Sequence, residues 1–183
     1  MATSVADHLT PRARQIAAAA QELIDAEGVD SLSMRALADR VGIRAPSIYK
    51  HFESKEALEA AVISAVFEEQ AIHYEAVVED SDQPLLALAD AYRDYARRHP
   101  HLYRLVTERP LNRPALVEGV EARFVRQLIR AAGEDRDLAR AFWAFAHGMT
   151  ILELNSRFPP DADLDAAWRS GVEALMAATR EAP

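Results

Sequence analysis

The sequence predicts an all-α protein, and three observations carry that expectation. Alanine, leucine and long charged residues dominate the 183 residues. Alternating β-branched runs are missing, and apolar residues recur at helical spacing. Hydrophobic residues make up 50% of the chain, enough to bury a core in one or two small domains. The pattern resolves into about nine helices, a compact N-terminal group followed by a longer helical unit.

Thr10-Pro11 is a helix start, with the hydroxyl as cap and proline at the first helical position. Ile16, Ala19, Ala20, Leu23, Ile24 and Ala26 then form one apolar stripe, which Glu27-Gly28 ends. Ser33 caps a second helix, MRALADRV, whose Leu37, Ala38 and Val41 face inward. Gly42 follows where a tight turn tolerates positive φ. A third short helix is expected from Ala45 to His51. Ser54 caps a fourth, opened favourably by Glu56-Ala57 and continuing from Lys55 to Val78. Further helices are expected over 84–98, 101–107, 114–132, 135–156 and 163–179, punctuated by Pro100, Pro110, Pro114, Gly133 and Phe158-Pro159-Pro160. No internal repeat or low-complexity tract interrupts them. The expected division is 1–55 and 56–183, with the fourth helix shared.

The formal net charge of -8 argues against a wholly electrostatic nucleic-acid binder. Its distribution is uneven. Residues 57–183 carry 14 basic and 21 acidic side chains, whereas Arg35, Arg40, Arg44, Lys50 and Lys55 face only Asp39 and Glu53 within 35–55. A small cationic patch on an acidic body fits a nucleic-acid reader that avoids indiscriminate sticking. The chain has no cysteine, which excludes disulfides and thiolate metal sites and agrees with a reducing compartment. The opening MATSVADHLTPRAR lacks a signal-peptide pattern, and no apolar stretch approaches the roughly 20 residues of a membrane span. A soluble, cytoplasmic protein is expected.

Two short helices around a glycine-containing turn, preceded by a longer helix, are the sequence picture of a helix-turn-helix. With the third helix in a major groove, Arg44, Ala45, Pro46 and Ser47 would lie near base edges. Arginine donates bidentately to guanine, serine donates or accepts, and the carbons of Ala45 or Pro46 suit a thymine methyl. Tyr49, Lys50 and His51 would address phosphates. Lys55 and the N–H groups opening the fourth helix would hold another. Ile43, Ile48 and Phe52 point into the small core. Spacing alone also suits three packed helices with a mildly basic face.

The segment SLSMRALADRVGIRAPSIYKHFESKEAL, residues 31–58, resembles the DNA-binding signature of the TetR family of transcriptional regulators. Matching positions include Ser33, Arg35, Leu37, Ala38, Gly42, Ile43, Ser47, Ile48, Tyr49, His51, Phe52, Lys55, Glu56 and Leu58. The resemblance implies DNA contacts for Arg35, Ser47, Tyr49, Lys50, His51 and Lys55, with Ser33 counted beside them. Ala45 offers only a methyl group where some members present a longer polar side chain, which makes Arg44 the stronger specificity candidate. The resemblance further implies a second domain that dimerises and holds a small molecule.

AFWAFAHGMTILELNSRF, residues 141–158, resembles the W-x-x-x-H-G segment of one branch of C-terminal domains in that family, through Trp143, His147 and Gly148. Phe142, Phe145, Ala146, Met149, Leu152 and Leu154 wrap around much of this helix, so burial on more than one side is expected. Gly148 costs roughly 1 kcal/mol relative to alanine in a helix interior, which suggests close approach of another helix. Leu152 with Leu164, Trp168, Val172, Leu175 and Met176 supplies a dimerisation face that intramolecular packing would serve equally. Phe67, Tyr92, Tyr95, Tyr103, Phe124, Trp143 and His147 are candidates to line an effector cavity, although each also suits a core.

No HExxH, glycine-rich phosphate loop or nucleophile motif is present, and His99 and His101 flank Pro100 without a ligand set. The carboxylates are expected on exposed faces and near helix starts. Neither enzymatic activity nor a cofactor nor a metal site is expected. The reading is a regulator, a repressor binding a palindromic duplex operator as a homodimer and released by a small-molecule effector. A transcriptional activator is one alternative, and a protein-interaction scaffold with a vestigial helix-turn-helix is another.

Overall fold

The structure, a computed structural model, describes residues 4–180. Among them are nine α-helices and no strand: α1 (Pro11–Glu27), α2 (Met34–Val41), α3 (Ala45–Ile48), α4 (Lys55–Glu79), α5 (Pro84–Arg98), α6 (Pro100–Thr107), α7 (Val120–Ala131), α8 (Arg136–Leu154) and α9 (Leu164–Arg180). Short 3-10 turns cover Val5–His8, Val29–Ser31 and Arg113–Ala115. The all-α expectation holds. Among the described residues no helix is long and apolar enough to cross a membrane.

The chain divides into two compact units. The first runs to Gln70 and includes His99–Arg123. Here α1 packs against α2 and α6, and α2 against α3. Thr10 caps α1 by accepting from the Ala13 N–H at 3.2 Å, with proline following as the sequence requires. Ile16, Ala20 and Ile24 are fully buried, whereas Ala26 at the end of the expected stripe is exposed. Before α1, the Glu68 carboxylate on α4 accepts from the Val5 N–H and the Ser4 hydroxyl at 3.1 Å, and so seats the N-terminal turn. His99 opens α6 with its Nδ1 2.8 Å from an Asp25 carboxylate oxygen on α1.

The second unit comprises Ala71–Arg98 and the chain from Phe124 onward. α5, α8 and α9 pack on one another. Phe142, Ala146 and Thr150 repeat every four residues down the inner face of α8, each 2% exposed or less. The Phe145 ring meets the Trp168 ring edge-on at 5.6 Å.

Two helix expectations need correcting. The stretch predicted as a helix over 114–132 is a 3-10 turn at Arg113–Ala115 and a helix only from Val120, because Gly119 adopts φ 79°, outside helical geometry. The third helix stops at Ile48, and Tyr49–His51 form a turn in which the His51 and Phe52 N–H groups both donate to the Ile48 carbonyl.

Candidate nucleic-acid interface

The interface is built on α2, α3 and the start of α4. The Ser33 hydroxyl accepts from the Ala36 N–H at 3.1 Å and so fixes where α2 begins. α2 ends on Gly42 in the left-handed conformation, φ 70°, with its N–H shared between the Ala38 and Asp39 carbonyls. The Ile43 N–H returns to the Ala38 carbonyl at 2.9 Å, closing a helix terminus that favours glycine there. Arg44 is then extended, and Pro46 occupies the first turn of α3, where a missing N–H removes no helical bond. Leu37 and Ile48 at 0% exposure and Phe52 at 5% lock α3 onto α2 and the small core.

What that packing leaves outside is the candidate surface. Ser33, Arg35, Arg44, Pro46, Lys50, His51 and Tyr49 are exposed, while Ala45 and Ser47 are half-buried. Among the described residues Arg35, Arg44 and Lys50 make no ion pair, whereas Arg40 is held 3.2 Å from Glu22 on α1. Unpaired cations on α2 and on either side of the locked α3 are free to meet phosphate or base edges.

Lys55 differs. Its ammonium lies 3.6 Å from a Glu59 oxygen and donates to the Val29 carbonyl at 3.4 Å. The N–H groups at the start of α4 are also partly engaged, since the Ser54 hydroxyl accepts from Ala57 at 3.1 Å. The Glu56 carboxyl is held below the ordinary carboxylate range, first by a backbone N–H and next by the Ser54 hydroxyl. The phosphate site expected at this helix start therefore has internal competitors that the sequence reading left out.

Carboxylates are not confined to exposed faces, contrary to expectation. Glu59 is a buried residue that also faces the Arg109 guanidinium at 3.7 Å. Glu153 on α8, with a side chain 15% exposed, accepts from Arg93 Nε at 2.8 Å and from the Trp168 indole N–H at 3.4 Å. Arg93 also pairs with Asp165 at 2.5 Å and lies 5.8 Å from the Trp168 ring centre. Glu153 and then Asp165 hold Arg93 above the ordinary arginine value despite its desolvation, and the Arg93 hydrogen bond holds Asp165 below its own. These partners come from distant parts of the chain, which is why spacing did not reveal them.

The remaining candidates are dispersed. Phe67 and Tyr103 are buried in the first unit. Tyr92 and Tyr95 are buried in the second, where Phe124 and His147 are half-buried. The Phe124 ring lies 5.7 Å from that of Tyr74. Ala144, Gly148 and Leu152, the last at 42%, are exposed at four-residue spacing on α8, so one side of this helix is open in the single chain and the expected burial on several sides does not hold; Trp143, at 47%, is exposed about half a turn round from Leu152. A Cβ at Gly148 would meet nothing within 4 Å, and the close approach expected there occurs instead at Gly171 on α9, beneath Phe145. Trp168 and Val172 are buried, whereas Leu164, Leu175 and Met176 are half-buried. A surface groove of about 740 Å³, lined among others by Ser81, Asp90, Arg93, Trp168 and Arg169, includes none of the effector candidates. Gln127 Oε1 and Thr150 Oγ1, in the second unit, are buried without a hydrogen-bond partner among the described residues.

Comparison with known proteins sets this geometry in context. Residues 16–62 match the family described as bacterial regulatory proteins, tetR family, and residues 85–175 match a tetracyclin repressor-like C-terminal domain. An uncharacterized HTH-type transcriptional regulator of Mycobacterium tuberculosis is 32% identical over 165 residues, covering 84% of this chain and 75% of the relative. A Rhodococcus sp. RHA1 protein of unknown function has a similar structure, with TM-score 0.72, 24% identity, and coverage of 93% of this chain and 96% of that one. A TetR variant from Acinetobacter baumannii AYE in complex with minocycline superposes with TM-score 0.61 at 26% identity, over 91% of this chain and 95% of that one.

Proposed function

Because the chain belongs to the TetR family of bacterial regulatory proteins, we propose that it is a cytoplasmic transcriptional repressor that binds a palindromic operator as a homodimer and leaves it when a small molecule binds. The observation that carries this reading is the exposed set Arg35, Arg44 and Lys50, cations without an ion pair among the described residues, on a helix-turn-helix held by the buried Leu37, Ile48 and Phe52. Arg44 and Ser47 read bases, Arg35 assists, and Tyr49, Lys50, His51 and Ser33 address the backbone. In functional terms, residues 1–55 bind DNA and 56–183 sense and dimerise.

The open side of α8 supports dimerisation. Ala144, Gly148 and Leu152, four residues apart and so on one face, present small and apolar surface and bare backbone to solvent in the single chain, which suits a second copy of the helix better than it suits water. Trp143 lies about half a turn round the helix from Leu152 and is not part of that stripe. Leu164, Leu175 and Met176 flank the stripe, while Trp168 and Val172 support α9 from within.

Effector release is supported by Gln127 and Thr150, whose buried side-chain oxygens have no hydrogen-bond partner among the described residues. A ligand carrying O–H or N–H groups would satisfy them, with Tyr92, Tyr95 and Phe124 as apolar lining in that unit and Phe67 and Tyr103 as candidates in the other. The minocycline-bound relative shows that a similar chain accepts a small molecule.

Selection of bound duplexes from a random library, with and without candidate ligands, tests the whole reading. A palindromic consensus that a ligand abolishes is the expected result. Weak, sequence-independent retardation, including of DNA upstream of the protein's own gene, would leave the scaffold reading. A reporter whose expression rises with the protein would replace repression by activation.

A further inference from the structure

We propose that Arg109 is a positioning residue for DNA binding: by sharing the Glu59 carboxylate, it sets how readily Lys55 can be handed to a DNA phosphate. The inference rests on the reading that the helix-turn-helix binds DNA, and adds to it a residue from outside that motif.

The geometry is a three-membered relay within the first unit. Glu59 projects from the first turns of α4, its side chain 11% exposed, and meets two cations. Lys55 approaches one oxygen at 3.6 Å from a position one helical turn earlier. Arg109, just beyond the end of α6, approaches the other at 3.7 Å. Both distances exceed a hydrogen bond, so neither cation is bound tightly and their shares of the carboxylate can change.

A buried carboxylate is costly to leave without a counter-charge. When Lys55 turns toward phosphate, Glu59 loses a partner, and Arg109 is the charge that remains. With Arg109 in place, Lys55 is available. Without it, Glu59 has only Lys55, and each phosphate contact made by Lys55 strands a buried anion.

The segment bearing Arg109 is anchored for this role. Farther along it, the Val117 N–H donates at 3.1 Å to the Ser64 hydroxyl, which is fully buried on α4 and donates to the Ala60 carbonyl at 2.8 Å. The connection between α6 and α7 is thus tied to α4 near both of its ends. Any movement that lifts it withdraws Arg109 from Glu59 and returns Lys55 to an internal partner, giving an effector a route to lower DNA affinity without altering the reading helix.

The test measures binding of the full chain to a library-selected duplex and to a random-sequence duplex across a salt series. Arg109→Gln should weaken both by about fivefold, the scale of one partly exposed ion pair, and Arg109→Lys should restore most of the loss. Glu59→Gln should bind at least as tightly as the wild type, and adding Arg109→Gln to it should change nothing further, because Arg109 acts only through that carboxylate. Should Glu59→Gln not fold, a Lys55→Met background serves, in which Arg109→Gln should again be silent. An equal loss from Arg109→Gln in every background would mean that Arg109 touches DNA itself, and no loss in the wild type would mean that the relay is inert; either overturns the proposal. A wild-type chain that selects no duplex would instead sink the DNA-binding reading, and this inference with it.

Discussion

The phenyl ring of Phe145 on α8 fills the space that a Cβ at Gly171 on α9 would occupy. The contact would be closer than real side chains make, and it involves a ring that is itself braced edge-on against Trp168 at 5.6 Å. Alanine normally favours a helix over glycine by about 1 kcal/mol, but forcing atoms into a packed contact costs about 1–3 kcal/mol. Gly171→Ala should therefore destabilise the protein, in urea unfolding, by up to about 2 kcal/mol. Adding Phe145→Leu should recover much of that loss. A variant more stable than the wild type would show that the ring moves aside freely.

Arg93 has two acidic partners, and their burial decides which matters. Glu153, with a side chain 15% exposed, also receives the Trp168 indole N–H, whereas the Asp165 side chain is 83% exposed. Glu153→Gln should lower unfolding stability by about 2–4 kcal/mol, because it leaves Arg93 largely desolvated with only an exposed counter-charge. Asp165→Asn should barely shift the denaturation midpoint at neutral pH.

The acid limb of stability should carry a small Asp165 signature. Arg93 holds this carboxyl below its ordinary value, so its contribution is fully present above the unfolded-state pKa and is lost as pH falls through the lower folded one. Below about pH 4 the wild type should lose more stability than Asp165→Asn, and the two curves should converge at the acid end. Parallel curves would mean that the pair adds nothing in solution.

On DNA, Arg44 and Lys50 should behave differently. Arg44→Ala should cost about 1–3 kcal/mol on a selected duplex and relax preference at one base position in each half-site. Lys50→Ala should weaken selected and random duplexes alike and reduce the salt slope by about one. Identical behaviour of the two variants would remove the assignment of Arg44 to base reading.

Leu152→Arg places a charge on the open side of α8, where Leu152 is 42% exposed. Sedimentation at micromolar concentration should show a dimeric wild type and a folded monomeric variant with weakened affinity for a palindromic duplex. A monomeric wild type, or a variant that still dimerises, would locate self-association elsewhere or abolish it.

The sequence revealed those features whose causes are local. Thr10, Ser33 and Gly42 act on backbone within a few residues, and each helix boundary they imply is found. The stretch before Val120 misled because its composition suits a helix while Glu118-Gly119 breaks one through a single positive φ. Glycine can serve a turn, a close contact or neither, so Gly148 was assigned the contact that belongs to Gly171. Lys55 and Glu59 stand at visible i,i+4 spacing, but the partner that shares the carboxylate, Arg109, lies 50 positions beyond Glu59 and is brought there only by the packed chain. The exposed cations flanking α3, Arg44 and Lys50, were legible as a face because their buried neighbours Ile48 and Phe52 define the other one.

That separation of faces has an evolutionary consequence. Ile48 and Phe52, with Leu37 opposite, hold α3 in place, whereas Arg44, Pro46, Tyr49 and Lys50 are exposed and bear little of the packing. Most surface substitutions away from caps and ion pairs change stability by no more than about 0.5 kcal/mol. Duplicated copies of such a gene can therefore diverge at these outward positions and acquire new targets in single steps, with the scaffold beneath them unchanged.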